Sequence, residues 1–552
     1  MDEPLHANDA IRRTNGQSTA PPRVVMLLAN DFTHDTRVYK EARSLMTWGC
    51  EVHVVAMCGP DLPASELRDG IYIHRAGWRS WMLVRLGLAV LFWPARPLVG
   101  RLLPPMTPAR AARAGARPAT TAERNGRAPG HRRTAIRRLA RRYLGWLLGD
   151  PGTRRIRTTV DRFEPITHPV AAMLALSFRS VRRIGCTVRQ LLGSVHRRPG
   201  RVLRRILPSS LRLLAFNVPC ARVARYLRPD VIQAHDLNTL MGATLVKRIH
   251  GVPLVYDSHE LFLERNLGNR SRAYDKLVWA PVERFCIRQC DAVISVADGI
   301  CRHLARQYGI PTPHLVRNVQ PYVPPAPHSR ILSEELGIDP RRPIVIYAGA
   351  VTVHRGLEVM IDSAEHLEDA VYVIMGYARN AKYAAALQER AEARGVLNRR
   401  LWFREAVPMD QVVRYVASAD LGIVPTVNVC LSYYYESSNK IFHCLMAGVP
   451  LVMSDHAEKR LLVEQWGIGA LMDETDPREV ARVVNGTLAD RVAYDRMRLR
   501  CLAAARVLNW EHEEQKLRQL FAACLGDRVP PVPAVDLPFA TDSRERPVQC
   551  IS

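Results

Sequence analysis

Residues 23–56 read RVVMLLANDFTHDTRVYKEARSLMTWGCEVHVVA, and the spacing of their apolar side chains decides the fold class. The run 23–29 is continuously apolar, as expected of a parallel strand buried on both faces. From Thr36 to Trp48 the apolar residues Val38, Ala42, Leu45 and Met46 recur at helical intervals, and Gly49 supplies the stop. Residues 51–56 then read as a second strand. A strand, helix and strand so closely joined make a right-handed crossover, which places the two strands side by side and parallel.

Further along, the same alternation resumes. Strands are expected at 229–235, 252–259 and 291–297, with helices at 239–248, 275–289 and 298–308. A proline-rich stretch at 319–342 marks a boundary. A second series follows, with strands at 343–349, 370–376, 400–406, 421–426 and 449–455. Helices at 356–367, 381–394, 409–417 and 439–447 separate them, and an amphipathic helix at 509–524 closes the series. The fold class is therefore α/β, with two Rossmann-like doubly wound domains facing each other across a cleft. Ligands of such sheets bind at the carboxyl ends of the strands, so the cleft is the expected active site.

The boundaries follow from these patterns. Residues 1–22 form a disordered N-terminus, and 23–79 with 216–322 form the N-terminal domain, interrupted by an insertion at 80–215. A linker spans 323–342, the C-terminal domain 343–508, the closing helix 509–525 and a disordered tail 526–552. A chain of 552 residues, 47% of them hydrophobic, is long enough to bury two cores.

Charge is concentrated in the insertion. The chain carries a net charge of +25, and residues 81–228 hold 31 arginines, no lysine and only four acids: Glu123, Asp150, Asp161 and Glu164. Such a balance points to an anionic partner. Residues 104–136 are a low-complexity spacer, whereas 137–148 and 201–216 mix arginine with apolar residues in the manner of basic amphipathic helices. With Trp81, Trp93, Tyr143 and Trp146 nearby, the insertion 80–215 suits an anionic membrane surface. The apolar stretch from Trp81 to Leu103 is cut by Arg85, Pro94, Arg96, Pro97 and Arg101, too often for a bilayer-spanning helix. The first twenty residues lack the apolar core of a secretory signal, and the 12 cysteines show no metal-knuckle or redox spacing. The expected location is the cytoplasm, on the inner face of the plasma membrane if the insertion docks there.

The segment LSYYYESSNKIFHCLMAGVPLVMSD (431–455) carries the chemistry. A helix starting near Asn439 would point its free N–H groups and positive dipole into the cleft, which is an anion site, and Lys440 adds a full charge there. Asn439 as a simple cap and Lys440 as a surface residue is the alternative.

This segment resembles the family-4 retaining glycosyltransferases of the GT-B fold, in particular a bacterial subgroup with a YYY…NK-F-E…MAG-P signature. Four more stretches, at 30–55, 234–240 with 256–262, 317–322 and 349–363, agree with the resemblance in the same order, over about 23–77 and 220–525. The resemblance implies transfer of a sugar from a nucleotide-sugar donor, with retention, to a cell-envelope, polysaccharide or lipid-linked acceptor, with no cofactor and no metal. It places Arg355 and Lys440 on the donor diphosphate, where a guanidinium fork suits phosphate oxygens, and His235 near the reacting sugar. Gly349, Gly376, Val407 and Asn439 fall on the donor side, and Asp35, Arg37, Asp236, His259 and Glu260 on the acceptor side. His443 stands where the family has the carboxylate that holds the donor ribose, and Ala350 where a second basic residue is common. A neutral imidazole accepts one hydrogen bond where a carboxylate accepts two.

The departures at His443 and Ala350 leave a catalytically silent GT-B protein as a competing reading. A basic nucleic-acid- or membrane-binding protein is another, although no nucleic-acid-reading motif is present. A nucleotide-sugar 2-epimerase fits the motifs less well. GxGxxG, P-loop, GxSxG and HExxH patterns are all missing from the sequence, which removes the dehydrogenase, kinase, hydrolase and metalloprotease readings.

Overall fold

The computed structural model describes residues 20–59, 61–77, 209–266, 272–325, 329–378 and 380–528, which fold around two sheets. The first holds β1 (Arg23–Leu27), β2 (Glu51–Met57), β3 (Ser65–Arg68), β4 (Ile71–Ala76), β5 (Val231–His235), β6 (Leu254–Ser258), β7 (Ala292–Ser295) and β8 (His314–Leu315). Their spatial order is β3-β4-β2-β1-β5-β6-β7-β8, parallel throughout except for the β3–β4 pair. The second sheet holds β9 (Ile344–Ala348), β10 (Val371–Met375), β11 (Leu401–Arg404), β12 (Leu421–Val424), β13 (Leu451–Ser454) and β14 (Gly469–Met472). It is wholly parallel, in the order β11-β10-β9-β12-β13-β14. Both sheets start at a central strand, wind to one edge and then return to the other side, so the winding reverses between β1 and β5 and between β9 and β12. Connections leave in opposite directions at those two points and open a crevice at the carboxyl ends.

Helices α1 (Thr36–Thr47), α2 (Ser209–Tyr226), α3 (Leu237–His250), α4 (Arg272–Cys286) and α5 (Asp298–Tyr308) cover the first sheet. The Asp35 carboxylate caps α1 by accepting from the Val38 amide at 3.1 Å, and Val38, Ala42 and Leu45 face the core as the spacing predicts. Around the second sheet run α6 (Ile331–Leu336), α7 (Leu357–Ser363), α8 (Ala381–Ala393), α9 (Val412–Val416), α10 (Leu431–Tyr434), α11 (Asn439–Ala447), α12 (Ala457–Trp466), α13 (Pro477–Ala489) and α14 (Arg491–Ala505). The closing helix, α15 (Trp510–Leu525), returns to the first domain. Its Trp510 indole donates to Ser44 Oγ at 3.0 Å, and Glu511 and Glu513 accept from the backbone amides of Tyr322 and Arg317.

Several boundaries need correction. The described residues resume at Ser209, already within α2 (Ser209–Tyr226), so the N-terminal domain includes residues ahead of 216. Leu214, 6% exposed, packs with Ala215 and Phe216 into the core, and Asn217 ties α2 to α3 by donating to the Asn238 carbonyl and accepting from the Gly242 amide. Those residues are committed to the domain and are not free to lie on a membrane. Residues 78–208, including the rest of the insertion, lie outside the described residues, as do most of the two termini. The linker 323–342 contains α6, whose Leu332 is fully buried, with Ile338 just beyond it. The β3–β4 hairpin, β14, α10 and helices α12 to α14 were not anticipated. Among the described residues no helix is long and apolar enough to cross a membrane.

The ends of β9 and β10 approach so closely that a methyl group at Gly376 would lie 1.7 Å from the Gly349 carbonyl oxygen. Gly376→Ala is therefore expected to destabilise the protein by on the order of 3 kcal/mol. Gly486→Ala, on α13 with open space around it, is expected to raise stability by about 0.5 kcal/mol or more through helix propensity. Thermal or denaturant unfolding of both variants checks the pair of opposite signs.

Candidate active site

A cavity of about 630 Å³ lies between the carboxyl ends of the two sheets. Its first wall is built from the turn after β1 (Asn30, Asp31, Thr33 to Arg37), from His259 and Glu260 after β6, and from Val296 and Ile300 near the start of α5. The opposite wall is Arg355, after β9, with Ser432, Tyr433, Glu436, Ser437 and Asn439 from the segment between β12 and α11. Six of the expected site residues thus meet in one cavity: Asp35, Arg37, His259, Glu260, Arg355 and Asn439.

On the second wall the backbone presents Arg355. Gly356 has φ +73°, and a methyl there would sit 1.8 Å from the Pro425 carbonyl oxygen, so the loop lies flat against the residue after β12. The His354 carbonyl accepts from the Val427 amide at 3.2 Å and fixes the loop from the other side. Arg355 then stacks 4.6 Å over the Tyr433 ring and donates to Glu436 Oε2 at 2.7 Å. The other carboxylate oxygen accepts from Thr426 Oγ1 at 2.5 Å and lies 3.6 Å from Lys459 Nζ. Lys459, 0% exposed, donates to Ser454 Oγ at 3.0 Å and approaches His456 Nδ1 at 3.2 Å, while His456 Nε2 meets Glu474 at 3.1 Å. Burial by itself would raise the Glu436 pKa. Lys459, Arg355 and Lys440, with the Thr426 hydrogen bond, outweigh it and take it down to about 2.

Lys440 completes the group. Its Nζ lies 5.0 Å over the Tyr347 ring and 3.3 Å from Ser438 Oγ, and its aliphatic chain passes over Gly349. Burial, and then the Arg355 charge, push its pKa down to about 7. Ser438, not Asn439, occupies the cap position of α11; Asn439 is the first helical residue, and the Ser438 side chain makes no cap hydrogen bond. The first-turn amides of α11 therefore keep their anion-binding character. Arg355 and Lys459 both contact Glu436, and Lys440 and the N-terminus of α11 lie near it. Lys459 and His456 have no signal in the sequence beyond their place after β13, nor Glu474 beyond its place after β14.

Three other donor-side expectations are placed away from the cavity wall. Gly376 backs Gly349, and Val407 packs against the hydrophobic core. His443, 6% exposed, is buried in α11 with no hydrogen-bond partner on either ring nitrogen. Burial, followed by the nearby Lys440 and Lys40, lowers its pKa to about 4, so the ring is neutral.

On the first wall the expectation for His235 is corrected. Its side chain is 0% exposed and lies beneath the cavity, not on it. His235 Nδ1 is 3.2 Å from His259 Nε2 and 3.3 Å from Asp257 Oδ2, so it reaches the cavity only through its neighbours. Asp257 is the centre of this buried network. It accepts two hydrogen bonds from Arg37 at 2.9 and 3.0 Å, and Arg37 also contacts Glu41 at 3.0 Å. Glu41 in turn accepts from Gln233 at 2.7 Å. Asp236 has a strained backbone, φ +60° and ψ 163°, and its carboxylate accepts the His259 amide at 3.2 Å. Burial would lower the His259 pKa, but Asp236 and Asp257 raise it to about 10, which makes the ring cationic at neutral pH. Glu260 is pushed up to about 7 by burial and then by Asp236.

His235, Asp257 and His259 also form a group whose ligand atoms lie within 4.8 Å of one another. Both Asp257 oxygens already accept from the Arg37 guanidinium, and a metal would have to displace that fork. The group is best described as an ion-pair network.

The sequence matches the model for Glycosyltransferase Family 4 over residues 171–319 and the model for Glycosyl transferases group 1 over residues 342–490. The two matches together span more than half of the chain, and the first begins inside the stretch read as insertion. Alpha-maltose-1-phosphate synthase of Mycolicibacterium smegmatis is 28% identical over 286 residues, 47% of this chain and 70% of that protein. D-inositol 3-phosphate glycosyltransferase of Xylanimonas cellulosilytica is 24% identical over 308 residues, 53% of this chain and 72% of that protein. Among solved structures, sucrose-phosphate synthase from Thermosynechococcus elongatus superposes with a TM-score of 0.57 at 14% identity, covering 91% of this chain and all of that one (100%). An α,α-trehalose-phosphate synthase from Burkholderia vietnamiensis gives 0.51 at 12% identity, covering 91% and 99%. Both share the two-domain fold.

The network makes a sign-specific prediction. Because the Glu436 pKa is about 2 in the folded protein and near 4.5 when exposed, its stabilising contribution is fully present above pH 4.5 and is lost as pH falls through 2. Glu436→Gln should lower stability by roughly 3 kcal/mol above pH 4.5, with the gap to the native protein closing toward pH 2. Unfolding free energies measured from pH 6 to 2 test this; a gap independent of pH would contradict it.

Proposed function

The chain belongs to the GT-B glycosyltransferases of group 1 and family 4 type, and we propose that it moves a sugar, with retention, from a nucleotide-sugar donor to a glycan or lipid-linked acceptor of the cell envelope. The observation that carries this reading is Arg355 and the N-terminus of α11 on the cavity wall, with Lys440 and the buried Lys459 close behind them around Glu436. Breaking a glycosyl–phosphate bond leaves charge on the departing diphosphate. Preorganised cations and free amides in a water-poor cleft stabilise that charge best. In this reading Arg355 and Lys440 hold the diphosphate, and Lys459 acts from below by holding Glu436. No metal is needed for that task, since the cations supply the charge. The acceptor enters on the opposite wall, where cationic His259 donates and Glu260 accepts hydrogen bonds. His235 positions His259 through Asp257. His443, neutral and buried off the cavity wall, leaves the donor ribose without the carboxylate that the family has at this place.

One observation favours a variation. Glu260 lines the cavity with a pKa near 7, suited to a general base, and such a base would serve an inverting displacement. Proton NMR of the first-formed product decides: the donor's anomeric configuration supports retention, and the opposite one assigns Glu260 as the base. The arginine-rich insertion supports docking on the anionic cytoplasmic leaflet. The full chain should float with phosphatidylglycerol liposomes while a chain lacking residues 80–208 stays behind; equal flotation would contradict docking.

Titration with a panel of nucleoside diphosphates and sugar nucleotides should raise the melting temperature for one base. Arg355→Ala should weaken that ligand by about tenfold or more, the loss of one charge-assisted contact. No response from the native chain, with recovery in His443→Glu, would instead support a catalytically silent relative.

A further inference from the structure

A second cavity, of about 580 Å³, lies on the far side of the contact between α5 and α10. The first domain contributes Gly299, Arg302, His303 and Arg306 from α5, and the second contributes Tyr434 and Tyr435 from α10 and its end. The wall separating it from the first cavity is the Tyr435 ring lying on Gly299, where an added methyl would be 2.1 Å from the ring. Residues next in sequence, Ile300 and Tyr433, face the first cavity. The two cavities thus share one pair of elements and follow one another along the domain seam.

The chemistry of the second cavity differs from that of the first. Arg302 and Arg306 stand one helical turn apart on the exposed face of α5 with His303 beside them. Arg302 is 54% exposed and contacts Asp298 at 2.5 Å. Facing them, the Tyr434 and Tyr435 rings meet edge to face, centroids 5.2 Å apart at 63°. Guanidinium forks select carboxylate or phosphate groups. A corner of two aromatic rings offers flat apolar surface with hydroxyl groups at its rim, which suits the mixed face of a pyranose ring.

We infer that this cavity is a second saccharide site that binds an acidic sugar unit, ring against Tyr434 and Tyr435 and carboxylate on Arg302 and Arg306, two or more residues from the sugar that reacts. It rests on the transferase reading and deepens it, by assigning the acceptor to the anionic glycans. The two cavities lie on either side of the Tyr435–Gly299 contact, so an extended acceptor chain running over the seam would reach both.

The test titrates the full chain with a galacturonate hexasaccharide, with maltohexaose as the uncharged control, by calorimetry at physiological salt. The variants are Arg302→Gln with Arg306→Gln, on the exposed face of α5, and separately Tyr434→Ala. Each is checked for an unchanged melting temperature and for the native response to nucleoside diphosphate. The native chain should bind the acidic hexasaccharide and not maltohexaose. Both variants should bind it about tenfold or more weakly while the nucleotide response stays intact. Because the arginine-rich insertion is untouched in every variant, equal affinity in native and variant chains would place the binding there and overturn the proposal, as would equal binding of maltohexaose. The nucleotide response is read on the same samples, so failure of the donor site and failure of this site are separate results.

Discussion

One carboxylate, that of Glu436, holds together a wall of the cleft that would otherwise repel itself. Arg355, Lys459 and Lys440 crowd around it, and Lys459 has no access to solvent. A buried ammonium group persists only when its neighbours return the hydration it has lost, which Ser454, His456, Glu436 and Glu474 do between them. What remains is Lys440, close to a helix N-terminus, with a pKa drawn down to about 7. The wall is short of negative charge at the cleft between the sheets, which suits the diphosphate of the proposed donor.

The opposite wall solves the reverse problem. Carboxylates from α1 and β6, those of Glu41 and Asp257, are drawn together beneath the cavity, and Arg37, reaching down from the first turn of α1, neutralises them. Only after that pairing does the network present groups to the cavity, namely cationic His259 and a Glu260 poised near neutrality. Both walls stand at the points where their sheets reverse winding, so the chemistry follows from the topology. The α15 helix, which leaves the second domain to bind Ser44, Arg317 and Tyr322 of the first, holds the walls at a working distance.

Most of the fold is legible in the chain because continuous apolar runs and helical spacing alternate so regularly. The exceptions have physical reasons. The β3–β4 hairpin is announced by Asp69-Gly70, whose φ angles of 52° and 81° match a tight turn, but its strands are short and one is half-exposed. The membership of α2 in the N-terminal domain is hidden by arginines that resemble an insertion, although Phe216 and Asn217 sit in the core. Within the site, Lys440 is legible from its place at a helix start, whereas Arg355, His259 and Glu260 come from the resemblance. Lys459 and Asp257 were not, because a buried charge leaves no mark in a sequence until its partner, 23 and 220 residues away for Glu436 and Arg37, is brought beside it. His235 was misplaced for the same reason: the end of a strand specifies a direction and not a depth.

If the cation-rich wall takes a diphosphate, binding brings a proton onto Lys440. Calorimetry of nucleoside diphosphate binding at pH 8, in buffers of different ionisation enthalpy, counts the protons taken up. With Lys440 near pKa 7 in the free protein, the account predicts uptake of close to one proton as the bound anion restores its ammonium form, and its disappearance in Lys440→Gln. Binding with no proton uptake in the native protein would contradict the account, since the diphosphate would then sit where Lys440 does not feel it.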